Sequence, residues 1–229
     1  MIYKNSNELQ HLHIGDNEIQ RVLLGERLIW ENAKVVFLGD GTTFDVSNIR
    51  GYENFTANNF FVRVTEKPSV SDRVTGSEAG DWGGINTYLN KSYNANTGTF
   101  SFNYRAVTDG GSSRQVGGSV YLVVDLDKAI EKGKVIDLGS GRSWNIKNLL
   151  PNTYMNLTIN NFAIQSATYC HTGNRYWGGT FTYAGYGNLA LTYNQATGVL
   201  SGGNLIKMTN SGGGYIDDSA SSIRPFVLL

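Results

Sequence analysis

Two stretches of this chain repeat one another block by block, and that duplication limits its folds more than any other feature. Lys34-Val-Val-Phe-Leu-Gly-Asp-Gly-Thr-Thr-Phe-Asp-Val-Ser-Asn-Ile49 aligns with Lys134-Val-Ile-Asp-Leu-Gly-Ser-Gly-Arg-Ser-Trp-Asn-Ile-Lys-Asn-Leu149, an offset of 100. Thr56-Ala-Asn-Asn-Phe-Phe-Val62 follows as Thr158-Ile-Asn-Asn-Phe-Ala-Ile164, and Trp82-Gly-Gly84 as Trp177-Gly-Gly179. Tyr93-Asn-Ala-Asn-Thr-Gly-Thr-Phe100 returns as Tyr193-Asn-Gln-Ala-Thr-Gly-Val-Leu200, and Val120-Tyr-Leu-Val-Val124 as Ile223-Arg-Pro-Phe-Val227. A solenoid repeat runs to roughly 20–50 residues. A period twice that long makes each copy large enough to be a domain.

The blocks read as strands. Thr99-Phe-Ser-Phe-Asn-Tyr104 alternates polar and apolar with period two, the pattern of a half-buried strand. Val120-Tyr-Leu-Val-Val-Asp-Leu126 is almost continuously apolar, as in a central strand of a two-sheet core. Val35-Val-Phe-Leu38 and Thr43-Phe-Asp-Val46 flank Gly39-Asp-Gly41 and predict a hairpin. Pro225 interrupts the second copy of the closing strand and predicts an edge position. The one helical signal is Asp125-Leu-Asp-Lys-Ala-Ile-Glu-Lys-Gly133, with an Asp to cap it and a Gly to end it, placed between the copies. The fold expected is all-β: two tandem β-sandwich or jelly-roll-like repeats, residues 34–133 and 134–229. Residues 1–33 precede them as a small N-terminal β segment, too short to close a core alone and therefore a docking or oligomerisation unit.

Composition excludes several partners. The 229 residues carry 19 basic and 19 acidic side chains, with no run of Lys and Arg, so no field recruits nucleic acid or an anionic membrane. Hydrophobic residues make up 40% and charged residues 17%, which rules out a charge-driven disordered chain. With 28 Gly and 13 Tyr, short strands joined by tight turns are favoured. The single Cys170 gives neither an intramolecular disulfide nor a thiolate cluster for zinc, and reads as a small buried hydrophobe. The N-terminal residues lack the apolar region of an export signal, and no apolar stretch approaches the ~18 residues of a membrane span. The expectation is synthesis in the bacterial cytoplasm, with any outside role reached by assembly.

Ile19-Gln-Arg-Val-Leu-Leu-Gly-Glu-Arg-Leu-Ile-Trp-Glu31 holds two short apolar runs around Gly25-Glu26. This segment resembles the short leader of tail and baseplate proteins from phages and prophages of Gram-positive bacteria. The closing segments Val120–Val124 and Ile223–Leu229 are similar to the terminal strands of such proteins. The resemblance implies a virion structural or host-recognition subunit, assembled with other tail or baseplate proteins, often trimeric or hexameric, with a homo-trimer favoured here. It implies no catalytic residues; no cofactor is expected, and the ligand expected is a host cell-wall saccharide. The alternative reading is a stand-alone carbohydrate-binding module or a glycan-active enzyme.

The repeated Trp-Gly-Gly blocks are the main candidate site. Trp82 and Trp177 read either as core anchors with Gly beside them for close packing, or as platforms on which the C–H face of a sugar ring stacks. Recurrence in both copies favours packing. His171, Arg175 and Tyr176 make the second copy the more ligand-like, so a saccharide is expected at Trp177, Tyr176, Arg175, His171 and Trp82. Other candidates carry bland readings. His11-Leu-His13 places two imidazoles on one strand face, a metal site only if several copies converge, and reads as solvated surface. Gly39-Asp-Gly41 loses its carboxylate in Gly139-Ser-Gly141, so it reads as a turn and not a calcium loop. Asp217-Asp218 would point to opposite faces of a strand, which argues against an acid–base pair. Ser219-Ala-Ser-Ser222 lacks the turn of a nucleophile elbow. The sequons Asn54-Phe-Thr56 and Asn156-Leu-Thr158 read as repeat-related strand residues without a glycosylation role. The chain is therefore expected not to be an enzyme and to hold no metal.

Overall fold

The computed structural model describes residues 12–14, 17–19, 21–24, 27–31, 35–66, 69–108, 113–167, 170–210 and 222–229, with side chains over 35–66, 87–107, 113–167, 189–202 and 222–229. Strands β1 (Leu12–Ile14) and β2 (Asn17–Ile19) form one two-stranded sheet, and β3 (Arg21–Leu24) and β4 (Arg27–Glu31) another. The first repeat supplies β5 (Val35–Gly41), β6 (Thr43–Asp45), β7 (Phe60–Val64), β8 (Ser69–Asn94), β9 (Thr99–Thr108), β10 (Ser113–Val116) and β11 (Gly118–Val123). After helix α1 (Leu126–Glu131) the second supplies β12 (Val135–Asp137), β13 (Ser143–Asn145), helix α2 (Ile146–Leu149), β14 (Phe162–Ala167), β15 (Cys170–Asn194), β16 (Val199–Asn210) and β17 (Ile223–Leu228). The protein is all-β, with two short helices among the described residues.

The main strands build two layers, and both layers run through both repeats. The six-stranded sheet has the order β12-β17-β14-β7-β11-β5; the seven-stranded sheet runs β10-β9-β8-β15-β16-β13, with β6 also on β9. The six-stranded order is a palindrome in repeat equivalents, and so is the seven-stranded one read from β6 through β9 to β13, with β10 lacking a counterpart among the described residues. At the centre of the six-stranded sheet β7 meets β14 through Val62 and Ile164, and these two residues occupy the same position of the two copies. In the other layer Asp81 pairs with Tyr176, the residues that precede Trp82 and Trp177. A near-two-fold axis therefore passes through both layers. Arg63 Nη1 donates to Asn160 Oδ1, while Gln165 Nε2, at the position equivalent to Arg63, donates to the carbonyl of Asn58 at 3.0 Å. Reciprocal contacts of this kind mark an isologous interface. In place of two sandwiches closed separately over 34–133 and 134–229, the repeats contribute halves to two common sheets.

The core explains the sharing. Phe60, Val62, Val64, Val120 and Leu122 join Phe162, Ile164, Ile223 and Val227 on one inner face, and Phe100, Phe102, Tyr104, Leu189, Leu191 and Leu200 line the other. All belong to one continuous cluster. Phe60 stacks on Phe100 across the layers, centroids 4.1 Å apart, and Phe162 lies 4.7 Å from Tyr193. Half of such a core would leave the inner strands β7 and β14 as unpaired apolar edges, which associate with any available strand. The opposite face of the six-stranded sheet is capped at one end by α1. Asp125 accepts from the amide of Lys128 at 3.1 Å and starts the helix, and buried Ala129 packs with Phe61, Tyr121, Val123, Val135, Ala163, Phe226 and Leu228.

Equivalent local bonds recur in both copies. Thr56 with Asn59 and Thr158 with Asn161 form capping boxes on short 3₁₀ turns. Asn59 Nδ2 then donates to the Val123 carbonyl and Asn161 Nδ2 to that of Leu228, each at 3.0 Å. Gly98 and Gly198 hold φ of 66° and 67° in the hairpin turns, where a Cβ would meet Ser47 at 2.7 Å or Lys147 at 2.6 Å.

Three local expectations change. Gly39-Asp-Gly41 is not a hairpin turn: it ends β5 and pairs with β11, while β6 pairs with β9, so the chain crosses between layers at Thr42 just after it, with Gly39 at φ 114°. Asp40 accepts from Ser119 Oγ at 2.6 Å, and Ser119 Oγ accepts from Arg63 at 2.8 Å, which commits that carboxylate to the fold. Pro225 lies in an interior strand, since β17 pairs with both β12 and β14, and a register irregularity between Ile164 and Ser166 accommodates it. Asn54 and Asn156 sit in 3₁₀ turns, not strands.

A shared core should melt as one unit. Calorimetry is expected to give a single transition whose calorimetric and van't Hoff enthalpies agree. Phe162→Ala should lower the stability of both repeats together by about 3–5 kcal/mol. Two separate transitions would contradict the shared core.

Candidate functional site

Strand alternation divides the seven-stranded sheet into an apolar inner face and a polar outer one. On β9, Phe100, Phe102, Tyr104 and Ala106 are buried, so Thr99, Ser101, Asn103 and Arg105 point outward. Their partners on β8 are Asn94, Ser92, Asn90 and Tyr88. The first repeat thus presents a ladder of pairs: Tyr88 with Arg105, Asn90 with Asn103, Ser92 with Ser101, Asn94 with Thr99. The Arg105 guanidinium lies over the Tyr88 ring, 5.4 Å from its centroid. Asn103 Oδ1 is buried and has no hydrogen-bond partner. In the second repeat Thr192, Asn194, Thr197, Val199 and Ser201, with Tyr193, line a shallow open depression of about 390 Å³.

The residues singled out around Trp-Gly-Gly fall at the centre of this sheet. Trp82 pairs with Arg175, Asp81 with Tyr176, Ala79 with Trp177, and Asn86 with His171. Pairing thus brings Trp82, Arg175, Tyr176 and Trp177 into neighbouring rows of one two-strand ribbon at the near-two-fold axis, although the sequence separates them by a whole repeat. His171 lies further along it. Cys170 pairs with Thr87. His13 pairs with Glu18 in the first hairpin, and His11, Asp217, Asp218 and Ser219 to Ser221 lie outside the described residues. Among the described residues no group of three or more His, Cys, Asp or Glu is placed to hold a metal ion. No helix among them is long and apolar enough to cross a membrane.

The strongly perturbed titratable groups face inward. Lys91 Nζ donates to the carbonyls of Ala57 at 2.9 Å and Phe60 at 2.8 Å, and burial pulls its pKa from 10.5 to about 8. Burial pushes the Tyr104 hydroxyl far above its usual range, opposed by the Leu189 amide that donates to it at 3.0 Å. Tyr93 is raised too, mainly by burial, and its hydroxyl donates to the Tyr52 carbonyl at 2.6 Å. These groups serve the packing of the layers and are turned away from the outer face.

No family model matches the chain, and neither a curated protein nor a solved structure does. The outer ladder itself escaped the sequence reading. Its signal is the alternation of Thr99–Tyr104, whose outward members gain meaning only from their cross-strand partners on β8.

The Lys91 shift has a definite sign. Between pH 8 and 10.5 the unfolded chain holds a proton that the folded protein has released, so stability rises with pH across that window. Above pH 10 the buried tyrosines reverse the trend, because the unfolded chain loses phenolic protons first. Melting temperature should climb between pH 7.5 and 9.5, by the equivalent of about 2 kcal/mol at about 1.4 kcal/mol per pKa unit. Lys91→Leu, which copies Leu191 of the second repeat, should flatten that limb.

Proposed function

We propose that the protein is a non-enzymatic structural component of a phage or prophage tail that acts in host adsorption by binding cell-wall saccharide. The observation that carries this reading is the leader. The segment that resembles phage tail leaders holds the β3–β4 hairpin, which like the β1–β2 hairpin before it forms a sheet separate from both sheets of the sandwich. Two-stranded sheets of three to five residues are marginal alone. Such a leader is suited to docking on other tail or baseplate proteins or on further copies of the chain. The polar outer face of the sandwich is then the adsorption surface, with hydroxyls and amides of the kind that replace water around a sugar.

Light scattering tests the assembly half of this reading. The intact protein should be a homo-oligomer, a trimer by preference, and a chain starting at Lys34 should be monomeric. A monomeric intact protein at micromolar concentration counts against a virion part and for the stand-alone module. Cosedimentation with cell-wall preparations from a panel of Gram-positive bacteria tests the adsorption half. If Trp177 is a sugar platform, Trp177→Ala should melt like the wild type and bind at least tenfold more weakly. If it is a packing anchor, the same change should cost about 3–5 kcal/mol of stability.

A further inference from the structure

We propose that the outer face of the first repeat, at Tyr88, Asn90, Asn103 and Arg105, binds an acidic saccharide, Arg105 taking its carboxylate or phosphate and the two asparagines its hydroxyls. The proposal rests on the saccharide-binding reading above and gives it a place and a charge.

Four features converge on this patch. The two cross-strand pairs are successive on one face, about 7 Å apart along the strands, with partners about 5 Å apart across them. That is the scale on which adjacent sugar rings present their hydroxyls. Arg105 is exposed, and no carboxylate among the described residues pairs with it. The Arg105 guanidinium already rests over the Tyr88 ring, so its fork of donors loses less freedom when it meets a planar or tetrahedral anion. Asn103 Oδ1 has no donor, and the amide has a soft terminal torsion through which it can turn to a ligand hydroxyl.

The second repeat supplies the control. Near its turn the hairpin keeps the same register, with Tyr193 opposite Leu200 as Tyr93 is opposite Phe100, but the register shifts between Asn188 and Leu191, where Asn188 pairs with Asn204. The four ladder residues do not recur. Asn188, Ala190, Gly203 and Leu205 stand at the equivalent positions, and the hairpin forms there without a guanidinium or either asparagine of the pair. The regular ladder with its aromatic ring and guanidinium is thus particular to the first repeat, and an exposed arginine over a tyrosine beside an unsatisfied amide oxygen is explained by a ligand.

The test uses the full chain and titration calorimetry with three probes: galacturonate oligosaccharides, poly(glycerol phosphate) and neutral galactose oligosaccharides. The wild type should bind one of the acidic probes at least tenfold more tightly than the neutral one, with affinity falling as salt is added. Which acidic probe binds distinguishes a carboxylate from a phosphate ligand. Asn90→Ala with Arg105→Leu, both taken from the second repeat, should lose at least tenfold in affinity and most of the salt dependence while melting unchanged. Arg105→Gln is a second, milder variant should the double change disturb folding, and the same loss is expected of it. Equal binding of neutral and acidic probes, or undiminished binding by a folded variant, overturns the proposal. If the wild type binds none of the probes and no cell-wall preparation, the adsorption reading falls as well. If it binds walls and only Trp177→Ala weakens it, the ligand sits on the central ribbon and this site is wrong.

Discussion

Everything else in this structure depends on one strand pairing, β7 against β14, where Val62 meets its own equivalent Ile164. A strand with Phe60, Val62 and Val64 on its inner face cannot stand at a sheet edge without exposing both its backbone groups and its apolar neighbours. Each repeat carries such a strand, and each covers the other's. The Arg63–Asn160 and Gln165–Asn58 bonds fix the register of that meeting from both sides. Once it is made, β8 and β15 are brought side by side in the second layer, and the two half-cores become one. The inserted helix α1 then has room only on the outside of the six-stranded sheet, where Ala129 closes over Phe61 and Phe226.

This arrangement explains which parts of the fold were legible in the sequence. Period-two alternation in Thr99–Tyr104, the apolar run at Val120 and the capped helix after Asp125 are local signals, and each element forms where its residues place it. The repeat blocks also mark real equivalents, down to matching capping boxes and matching positive-φ glycines. Partnership between edges is not a local property. Nothing in Val35–Val46 distinguishes a hairpin from two strands that leave for different layers, because both need a glycine-rich corner. Pro225 misled for the same reason. A proline without an amide donor fits an edge or a bulge, and only the register irregularity opposite Ile164 and Ser166 decides between them.

The candidate site was legible to a smaller degree. The sequence marked both Trp-Gly-Gly blocks but assigned them to separate domains, whereas the β8–β15 pairing puts Trp82 and Trp177 on one ribbon with the Asp81–Tyr176 row between theirs. The ladder on the first repeat was overlooked because outward-facing Asn, Ser and Arg look like ordinary solvated residues until their cross-strand partners are known. Tyr88 and Arg105 are seventeen positions apart in the chain, and only the hairpin register makes them a pair.

Pseudo-symmetry also changes what recurrence and divergence mean. Near the axis β8 and β15 pair with each other, so the recurrent Trp, Gly and Gly of both copies lie on one ribbon, and their recurrence alone does not single out a ligand. Inside the sandwich the two copies have diverged in ways that packing explains, since Tyr104 reaches across to the amide of Leu189 and buried Lys91 is answered by buried Leu191. The outer face of a single hairpin is different, because a side chain there meets neither the axis nor the core. In the second repeat the register is irregular across the equivalent positions, and Asn188 and Leu205 stand where the first repeat has Tyr88 and Arg105. A polar, aromatic and cationic cluster confined to one copy at such positions is therefore stronger evidence of a ligand than the aromatic residue that both copies share.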